Sequence, residues 1–210
     1  NHGLLLVAQL SFQNKIKRFI YTSTLSVFGP SYKSVAITES QPRLASFMND
    51  YELTKSMSEE TVLSYEKNGL PCVILNVSRV YGPGLKTYSN GVNKIVLSII
   101  KNDILFVPTK FNSIANYVYI KDVINAHILA MDHGLSGEKY IIGGENITYA
   151  KLFATIKQIT NSRIKIVKIH FQFLKCCLLI MNGCKNIFGF QSALTPKVLD
   201  SLFTDRRSTS

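Results

Sequence analysis

The chain has 210 residues, a net charge of +11, 46% hydrophobic residues and 18% charged residues. This length and composition support a folded core, and they exclude a disulfide-stapled miniprotein and a disordered chain. The positive charge is concentrated in residues 151–210, where ten lysines and arginines accompany two acids. We interpret this positive charge as a solvated basic face. We predict no nucleic-acid partner, because positive charge is the only feature of a nucleic-acid-binding protein that the sequence shows.

The first half of the chain predicts helices that alternate with strands. Hydrophobic periodicity, capping residues and β-rich apolar runs define each element. Because a strand, a long helix and a second strand follow one another, we expect a βαβ unit with parallel strands. The predicted elements are a helix over 3–13, a buried strand over 19–23, a helix from Asn49 or Asp50 to about Lys67, a strand over 71–76 and a turn over 81–84.

The second half predicts shorter and more mixed elements, which are typical of a small second lobe. They are a helix over 92–101, strands near Leu105 and over 117–119, a helix over 122–133, a strand over 139–142 and a helix that Thr148 caps and that ends at Thr160. The apolar window 171–181 predicts a helix that covers a core, and it is too short to cross a bilayer. Binding of this helix to a membrane surface is the alternative.

The cysteines predict a reducing compartment, and therefore a cytoplasmic protein. They are Cys72, Cys176, Cys177 and Cys184. Three of them lie in one apolar stretch, with neither the spacing of a disulfide framework nor that of a metal site. We therefore expect buried free thiols.

Tyr51 and Lys55 are the pair of side chains that suggests catalysis, because they lie four residues apart on one face of a predicted helix. An ammonium group beside a phenol favours the phenolate form, so such a tyrosine can exchange a proton with a carbonyl or alcohol oxygen while a hydride moves at the carbon. The lysine can also donate to the ribose of a nicotinamide nucleotide. Thr24, at the end of the preceding strand, can offer a hydroxyl to the same substrate oxygen.

The spacing of this pair is not specific by itself. A second Tyr-x-x-x-Lys occurs at Tyr117 and Lys121, within a strand pattern in which four residues span about 13 Å. Taken alone, Tyr51 and Lys55 could also be a surface pair without a catalytic role. Their position on a helix that follows the Thr24 strand favours the catalytic interpretation.

Five ordered motifs extend this pattern over nearly the whole chain, at residues 21–29, 51–55, 76–84, 116–122 and 137–146. Together they resemble the extended short-chain dehydrogenase/reductases, that is, the NAD-dependent epimerase/dehydratase family, and within it the dihydroflavonol-4-reductase-like reductases. The resemblance implies an α/β fold, with the C-terminal part of a Rossmann-type parallel-sheet domain and a small mixed α/β substrate lobe. It implies a partial NAD(P)-binding domain with the catalytic residues in 1–85, and a mainly substrate-binding lobe in 86–210, from which some segments return to the first domain.

The resemblance also implies a role for individual residues. The catalytic residues would be Thr24, Tyr51 and Lys55. The residues at the cofactor, NAD or NADP, would be Ser23, Tyr51, Lys55, Asn76, Val77 and Ser78, with Val77 standing where the family usually has proline. The residues that line the substrate cleft would be Arg79, Tyr81, Ser89, Asn90 and Asn93. Two alternatives stay open: Ser23 could only cap its strand, and Arg79 could only pair with a carboxylate.

A glycine-rich turn that would hold a cofactor pyrophosphate is absent from these 210 residues. The family places that turn in an N-terminal βα unit. The resemblance implies that about three βα units of the family precede the part that begins at Asn1. The chain is therefore expected to be part of a longer enzyme and to bind a nicotinamide nucleotide weakly or not at all by itself. A micromolar dissociation constant for NAD or NADP, measured on these 210 residues by calorimetry, would contradict this.

The leading functional hypothesis is hydride transfer between NAD(P) and a small-molecule carbonyl or alcohol, or a nucleotide-linked substrate. A nucleotide-sugar epimerase or dehydratase is the first alternative; Leu25 and Ser26 argue against a dehydratase, which would normally have an acid directly after Thr24. A non-catalytic relative of the same fold is the second. A homodimer is compatible with each of these hypotheses.

Overall fold

The computed structural model describes residues 2–32, 35–42, 46–84, 91–183 and 195–209. The described helices are α1 (His2–Gln13), α2 (Asp50–Lys67), α3 (Gly91–Lys101), α4 (Ile120–His133), α5 (Tyr149–Ile159), α6 (Phe171–Gly183) and α7 (Pro196–Leu202), with a 3₁₀ turn at Leu25–Phe28. The described strands are β1 (Phe19–Thr24), β2 (Cys72–Val77), β3 (Arg79–Tyr81), β4 (Ile104–Pro108), β5 (Ile114–Tyr119), β6 (Lys139–Ile142), β7 (Glu145–Thr148) and β8 (Lys165–Ile169).

The chain divides into two compact units. The first contains residues 1–86, 116–146 and 206–210, and the second contains residues 87–115 and 147–205. The assignment of the second unit to substrate binding stays a prediction.

The first unit is built on a parallel sheet of order β1-β2-β6. All six residues of β2 are buried, as expected for a central strand covered on both faces. Because successive side chains alternate between faces, Val73, Leu75 and Val77 pack with residues of α4, whereas Cys72 and Ile74 pack with Val62 of α2. The predicted parallel βαβ unit and the α/β class are confirmed.

The strand predicted at 19–23 is present as β1, but it is less buried than predicted, because Ser23 is its only buried residue. This strand has β2 on one side and, within the described residues, no strand on the other. A strand with a neighbour on one side keeps part of its surface open to solvent.

Helix α2 begins and ends at residues that suit a helix terminus. The side chain of Asn49 accepts a hydrogen bond from the backbone of Glu52, which satisfies one of the free amides of the first turn. Asp50 and Glu52 lie in that turn and Lys67 in the last one, so their charges complement the helix dipole. Gly69 then takes a positive φ of 101°, which ends the helix at the predicted place.

A second sheet has the order β3-β5-β7, with β3 parallel to β5. Strand β3 lies directly before the predicted turn and was not predicted. Gly143 and Gly144 connect β6 to β7, and a side chain at Gly144 would overlap the carbonyl oxygen of Tyr117. Close packing of two backbones therefore requires glycine there.

The second unit has its own core between β4, β8 and the helices α3 and α5. Strands β4 and β8 are parallel. The buried residues include Ile99, Phe111 and Phe153, and the two phenylalanine rings are 5.0 Å apart in an edge-to-face arrangement. Strand β8 was not predicted from the sequence.

The predicted burial of the cysteines is correct for only part of the set. Cys72 is buried, and burial raises the pKa of its thiol to about 12. Cys176 is exposed. It lies on the outer face of α6, which is apolar but open to solvent, since Phe173 and Ile180 are 63% and 62% exposed. Cys184 lies outside the described residues. Among the helices that the structure describes, none has the length and apolar character needed to cross a membrane.

Candidate functional site

The carboxyl ends of β1 and β2 lie side by side in the first unit, beneath the first half of α2. Ser23 is paired with Asn76 in the sheet register. Lys55, on α2, donates a hydrogen bond of 2.9 Å from Nζ to the backbone carbonyl of Thr22. This contact fixes the helix against the end of β1, where the sequence predicted that catalytic groups meet.

Tyr51 lies one helical turn before Lys55 and its side chain is 58% exposed. Among the described residues no hydrogen bond to its hydroxyl is found, so the group is free to contact a substrate. The ammonium group of Lys55 lies 5.0 Å from the centre of the Tyr21 ring. The cation is thus held between a carbonyl oxygen and an aromatic face, both of which stabilise positive charge.

Thr24 ends β1 and caps the 3₁₀ turn that follows. Its Oγ1 accepts a hydrogen bond of 3.3 Å from the backbone of Ser26 and lies 3.2 Å from the Ser26 hydroxyl. Since the backbone contact uses only an oxygen lone pair, the hydroxyl proton of Thr24 can still be donated. The backbone contact therefore orients the hydroxyl without using its proton, and in the contact with the Ser26 hydroxyl either oxygen can be the donor.

The end of β2 carries two buried polar atoms that lack a partner within the part of the chain that the structure describes. They are Oδ1 of Asn76 and Oγ of Ser78. Buried polar atoms are normally hydrogen-bonded, so each unpaired atom needs an explanation. A polar ligand group at the strand end would supply one, and the residues here fit the nicotinamide and ribose half of a dinucleotide. Between these two residues, Val77 is buried.

Sequence reasoning missed a buried carboxylate one turn beyond Lys55. Glu59 accepts hydrogen bonds from Ser23 at 2.5 Å, from Asn76 at 2.7 Å and from Lys139 at 2.8 Å. The signal that could have revealed it is the recurrence of Tyr51, Lys55 and Glu59 at intervals of four, which places all three on one face of a helix.

A second buried carboxylate was also missed. Glu52, the residue after Tyr51, forms an ion pair of 2.6 Å with Arg206, and both side chains are almost fully buried. It also accepts a hydrogen bond from the backbone of Met48. The chain segment that begins at Arg206 is therefore anchored at the first turn of the helix that carries Tyr51.

Strand β3 places Arg79 and Tyr81 just beyond the end of β2. The guanidinium of Arg79 lies 5.9 Å from the ring centre of Tyr117, and the rings of Tyr81 and Tyr119 are 5.5 Å apart. Burial raises the pKa of Tyr81, and the nearby carboxylates Glu145 and Asp122 raise it further. Tyr81 therefore keeps its proton at neutral pH and can serve as a hydrogen-bond donor.

The structure brings together most of the predicted site residues of the first unit. Ser23, Thr24, Lys55 and Asn76 lie at the shared ends of β1 and β2. Asn93 belongs to the second unit, where it is half-buried on α3. Ser89 and Asn90 lie outside the described residues. The chemical roles of all these residues stay predictions.

Comparison with known proteins gives one family match. A sequence profile of the NAD dependent epimerase/dehydratase family matches residues 2–143. A UDP-N-acetyl-alpha-D-glucosaminuronate decarboxylase of Bacillus cytotoxicus is 28% identical over 173 residues, which cover 79% of this chain and 53% of that protein. A Synechocystis protein named "Putative dihydroflavonol 4-reductase" is 28% identical over 152 residues, which cover 70% and 43%.

A solved structure shares the fold. The UDP-glucose 4-epimerase of Thermotoga maritima, with UDP-glucose, superimposes with a TM-score of 0.72 at 25% identity, covering 80% of this chain and 55% of that one. The predicted Rossmann-type fold is confirmed. The chain spans about half the length of the curated relatives that it matches.

Proposed function

The chain belongs to the NAD dependent epimerase/dehydratase family, and from this premise we propose that the protein is an NAD(P)-dependent oxidoreductase, which reduces a carbonyl group or oxidises an alcohol. The observation that carries the proposal is the hydrogen bond from Lys55 to the carbonyl of Thr22. It places the helix that bears Tyr51 at the strand end where Thr24 offers its hydroxyl. A proton donor, a cation and a second hydroxyl are thereby assembled in one unit.

Tyr51 acts as the general acid in the reductive direction and gives its proton to the substrate oxygen as that oxygen gains negative charge. Thr24 donates a hydrogen bond to the same oxygen, which stabilises the developing charge. Lys55 lies one turn after Tyr51 on the same helix, and its ammonium group holds that helix at the end of β1. In the direction of alcohol oxidation the same groups act in reverse.

The nicotinamide cofactor, NAD or NADP, supplies or accepts the hydride when it is bound. Lys55 would donate to its ribose hydroxyls, and Ser23 and residues 76–78 at the strand ends would hold its nicotinamide half. The unpaired atoms of Asn76 and Ser78 support this placement, because a polar group bound beside them would restore their hydrogen bonds.

The substrate is a small carbonyl compound or alcohol, or a nucleotide-linked molecule. Arg79 and Tyr81 border its cleft, with Ser89, Asn90 and Asn93 as further candidates. Arg79 suits an anionic group, since its guanidinium can form paired hydrogen bonds with a phosphate or carboxylate. Tyr81 is 42% exposed and can donate a hydrogen bond at neutral pH.

A nucleotide-sugar epimerase or dehydratase is the second candidate, because relatives are named for reactions on UDP-sugars. The residues after Thr24 argue for simple reduction. Leu25, which is buried, and Ser26, which contacts the Thr24 hydroxyl, have no carboxyl group. Neither can therefore supply the acid that a dehydratase needs beside its threonine.

The test uses the full-length protein with NADH and NADPH, and with a dihydroflavonol, a 4-keto nucleotide sugar and an aromatic aldehyde as acceptors. Loss of absorbance at 340 nm, with formation of the alcohol, is the expected result. Conversion of UDP-glucose without a net change in cofactor would support the epimerase or dehydratase instead. No reaction in either assay would identify a non-catalytic relative and overturn the proposal.

We also propose a homodimer in the cytoplasm. Apolar side chains that are at least 40% exposed recur on the neighbouring helices α1 and α2, among them Leu6, Leu10, Leu53 and Met57, and a second copy would cover them. Free thiols at Cys72, Cys176 and Cys177 are typical of a reducing compartment. Sedimentation of the full-length protein at the mass of a monomer would contradict the dimer, and fractionation of cells tests the compartment.

A further inference from the structure

Glu59 is a buried carboxylate for which the proposed reaction has no direct use. Its exposure is 0%, and it lies on the inner face of α2, two helical turns after Tyr51. Ser23 and the side-chain amide of Asn76 both donate to Oε1, and Lys139 donates to Oε2. One carboxylate therefore connects α2 to β1, β2 and β6.

The energetics of this cluster suggest that it does more than stabilise the fold. The Glu59 carboxylate is fully buried and the Lys139 side chain is 21% exposed, so the ion pair gains little over apolar side chains of the same size, because the carboxylate loses its hydration and the ammonium group loses most of its own. The donors at Ser23 and Asn76 make the arrangement tolerable by satisfying the remaining acceptor positions. Three directional bonds to three strands fix a position and an orientation, which apolar packing specifies less sharply.

The strand residues that Glu59 contacts are direct neighbours of the proposed site. Ser23 precedes Thr24 in the chain, and Asn76 precedes Val77 and Ser78. In the sheet register Ser23 is paired with Asn76, so a single oxygen of Glu59 holds two adjacent strand ends together. Asn76 also donates, at 3.3 Å, to the backbone carbonyl of Thr24.

The same carboxylate sets where α2 lies along these strands. An α-helix advances 1.5 Å per residue, so a small slide of α2 would move Tyr51 and Lys55 relative to Thr24. A misplacement of about 1 Å can reduce a catalytic rate by about 100-fold. The hydrogen bond from Lys55 to Thr22 holds α2 near its start. Glu59 holds the same helix one turn further on, and two contacts at different points along a helix fix the direction of its axis.

We infer that Glu59 is a positioning residue, which acts through Ser23 and Asn76 to hold the Tyr51–Lys55 face of α2 in register with Thr24 and the end of β2. This inference rests on the proposed function. Glu59 itself touches neither substrate nor cofactor, and its removal affects the geometry of proton and hydride transfer.

The experiment compares Glu59→Gln with the wild-type full-length protein. Glutamine keeps the size of the side chain but loses the charge and replaces one acceptor with a donor. We expect kcat to fall by about 10-fold to 100-fold, while the dissociation constant of NADH or NADPH, measured by fluorescence, stays within about threefold. The deuterium isotope effect on kcat rises, because a misaligned transfer step becomes rate-limiting.

Amide hydrogen exchange gives a readout that does not depend on turnover. In Glu59→Gln, peptides that cover 19–24 and 72–77 exchange faster, whereas the peptide that covers 165–169 in the second unit exchanges as in the wild type. The matched control is Glu60→Gln, since Glu60 is adjacent on the same helix and exposed. It leaves kcat, cofactor affinity and exchange unchanged.

A double variant separates positioning from stability. Glu59→Met with Lys139→Met removes both charges together, so stability recovers relative to Glu59→Gln while kcat stays low. Recovery of kcat with stability, or a kcat of Glu59→Gln within about twofold of wild type, would overturn the inference. If the wild-type protein itself has no turnover, the proposed function fails and the inference fails with it; an active wild type beside an equally active variant rejects the role of Glu59 alone.

Discussion

Tyr51→Phe in the full-length protein is expected to lower kcat by about 100-fold to 10,000-fold. The substitution removes only the phenolic hydroxyl, so the substrate oxygen loses its proton donor while the aromatic ring stays. Because Tyr51 is 58% exposed and its hydroxyl makes no hydrogen bond within the described residues, the fold loses nothing with it. We therefore expect an unchanged melting temperature and a cofactor affinity within about threefold of wild type.

Tyr65→Phe is the matched control, because Tyr65 lies on the same helix and contacts Phe12 through its ring, which phenylalanine preserves. Its kcat should equal that of the wild type. Steady-state kinetics on both variants, with NADH or NADPH titrated separately, measure the difference. A Tyr51→Phe enzyme with near-normal turnover would show that another group donates the proton.

Arg206→Ala is expected to produce the largest loss of stability, about 3–5 kcal/mol in the free energy of unfolding. The side chains of the Arg206–Glu52 pair are only 8% and 2% exposed. Removal of the arginine takes away the cation that lies 2.6 Å from an almost fully buried carboxylate. Since Glu52 follows Tyr51 directly, the loss also loosens the first turn of α2.

Lys175→Ala is the control for burial, because the Lys175–Asp200 pair is as short, at 2.5 Å, but its side chains are 33% and 31% exposed. Water screens such a pair, so its loss should cost less than about 1 kcal/mol. Urea unfolding followed by circular dichroism measures both variants. Equal losses for the two would contradict the claim that burial decides the strength of these pairs.

The parts of the fold that could be predicted from the sequence are those in which local pattern and burial agree. Strand β2 is an apolar run that lies at the centre of a sheet, and α2 has a capping asparagine and a terminal glycine at the expected places. Strand β3 was missed because its three residues form a strand only by pairing with β5, far along the chain. A local pattern contains no information on such a partner.

In the candidate site, too, the residues in local motifs could be predicted and those that depend on distant partners could not. Thr24, Tyr51 and Lys55 are separated by few elements and belong to ordered motifs, so a common position at the end of β1 could be predicted, and the contact of Lys55 with the carbonyl of Thr22 agrees with that prediction. Glu59 and Glu52 were not identified from the sequence, because acids on a helix usually face solvent and are rarely buried without partners. Their partners lie on other elements: Lys139 is 80 positions from Glu59, and Arg206 is 154 positions from Glu52.

The apolar outer face of α6 is a case in which side chains that were expected to be buried are exposed. Hydropathy alone predicted that Cys176 is buried, yet Phe173 and Ile180 beside it on that helix are largely exposed. An apolar residue is buried only where a neighbour covers it, and that depends on the tertiary arrangement.

The transfer of deuterium from cofactor to product tests the central claim most directly. The full-length protein is mixed with NADH or NADPH deuterated at C4 of the nicotinamide, and with each carbonyl acceptor named above, and the product is analysed by mass spectrometry. The account predicts an alcohol that carries one deuterium on the former carbonyl carbon, formed far more slowly by Tyr51→Phe. A product without deuterium, or equal rates for the two proteins, would contradict it.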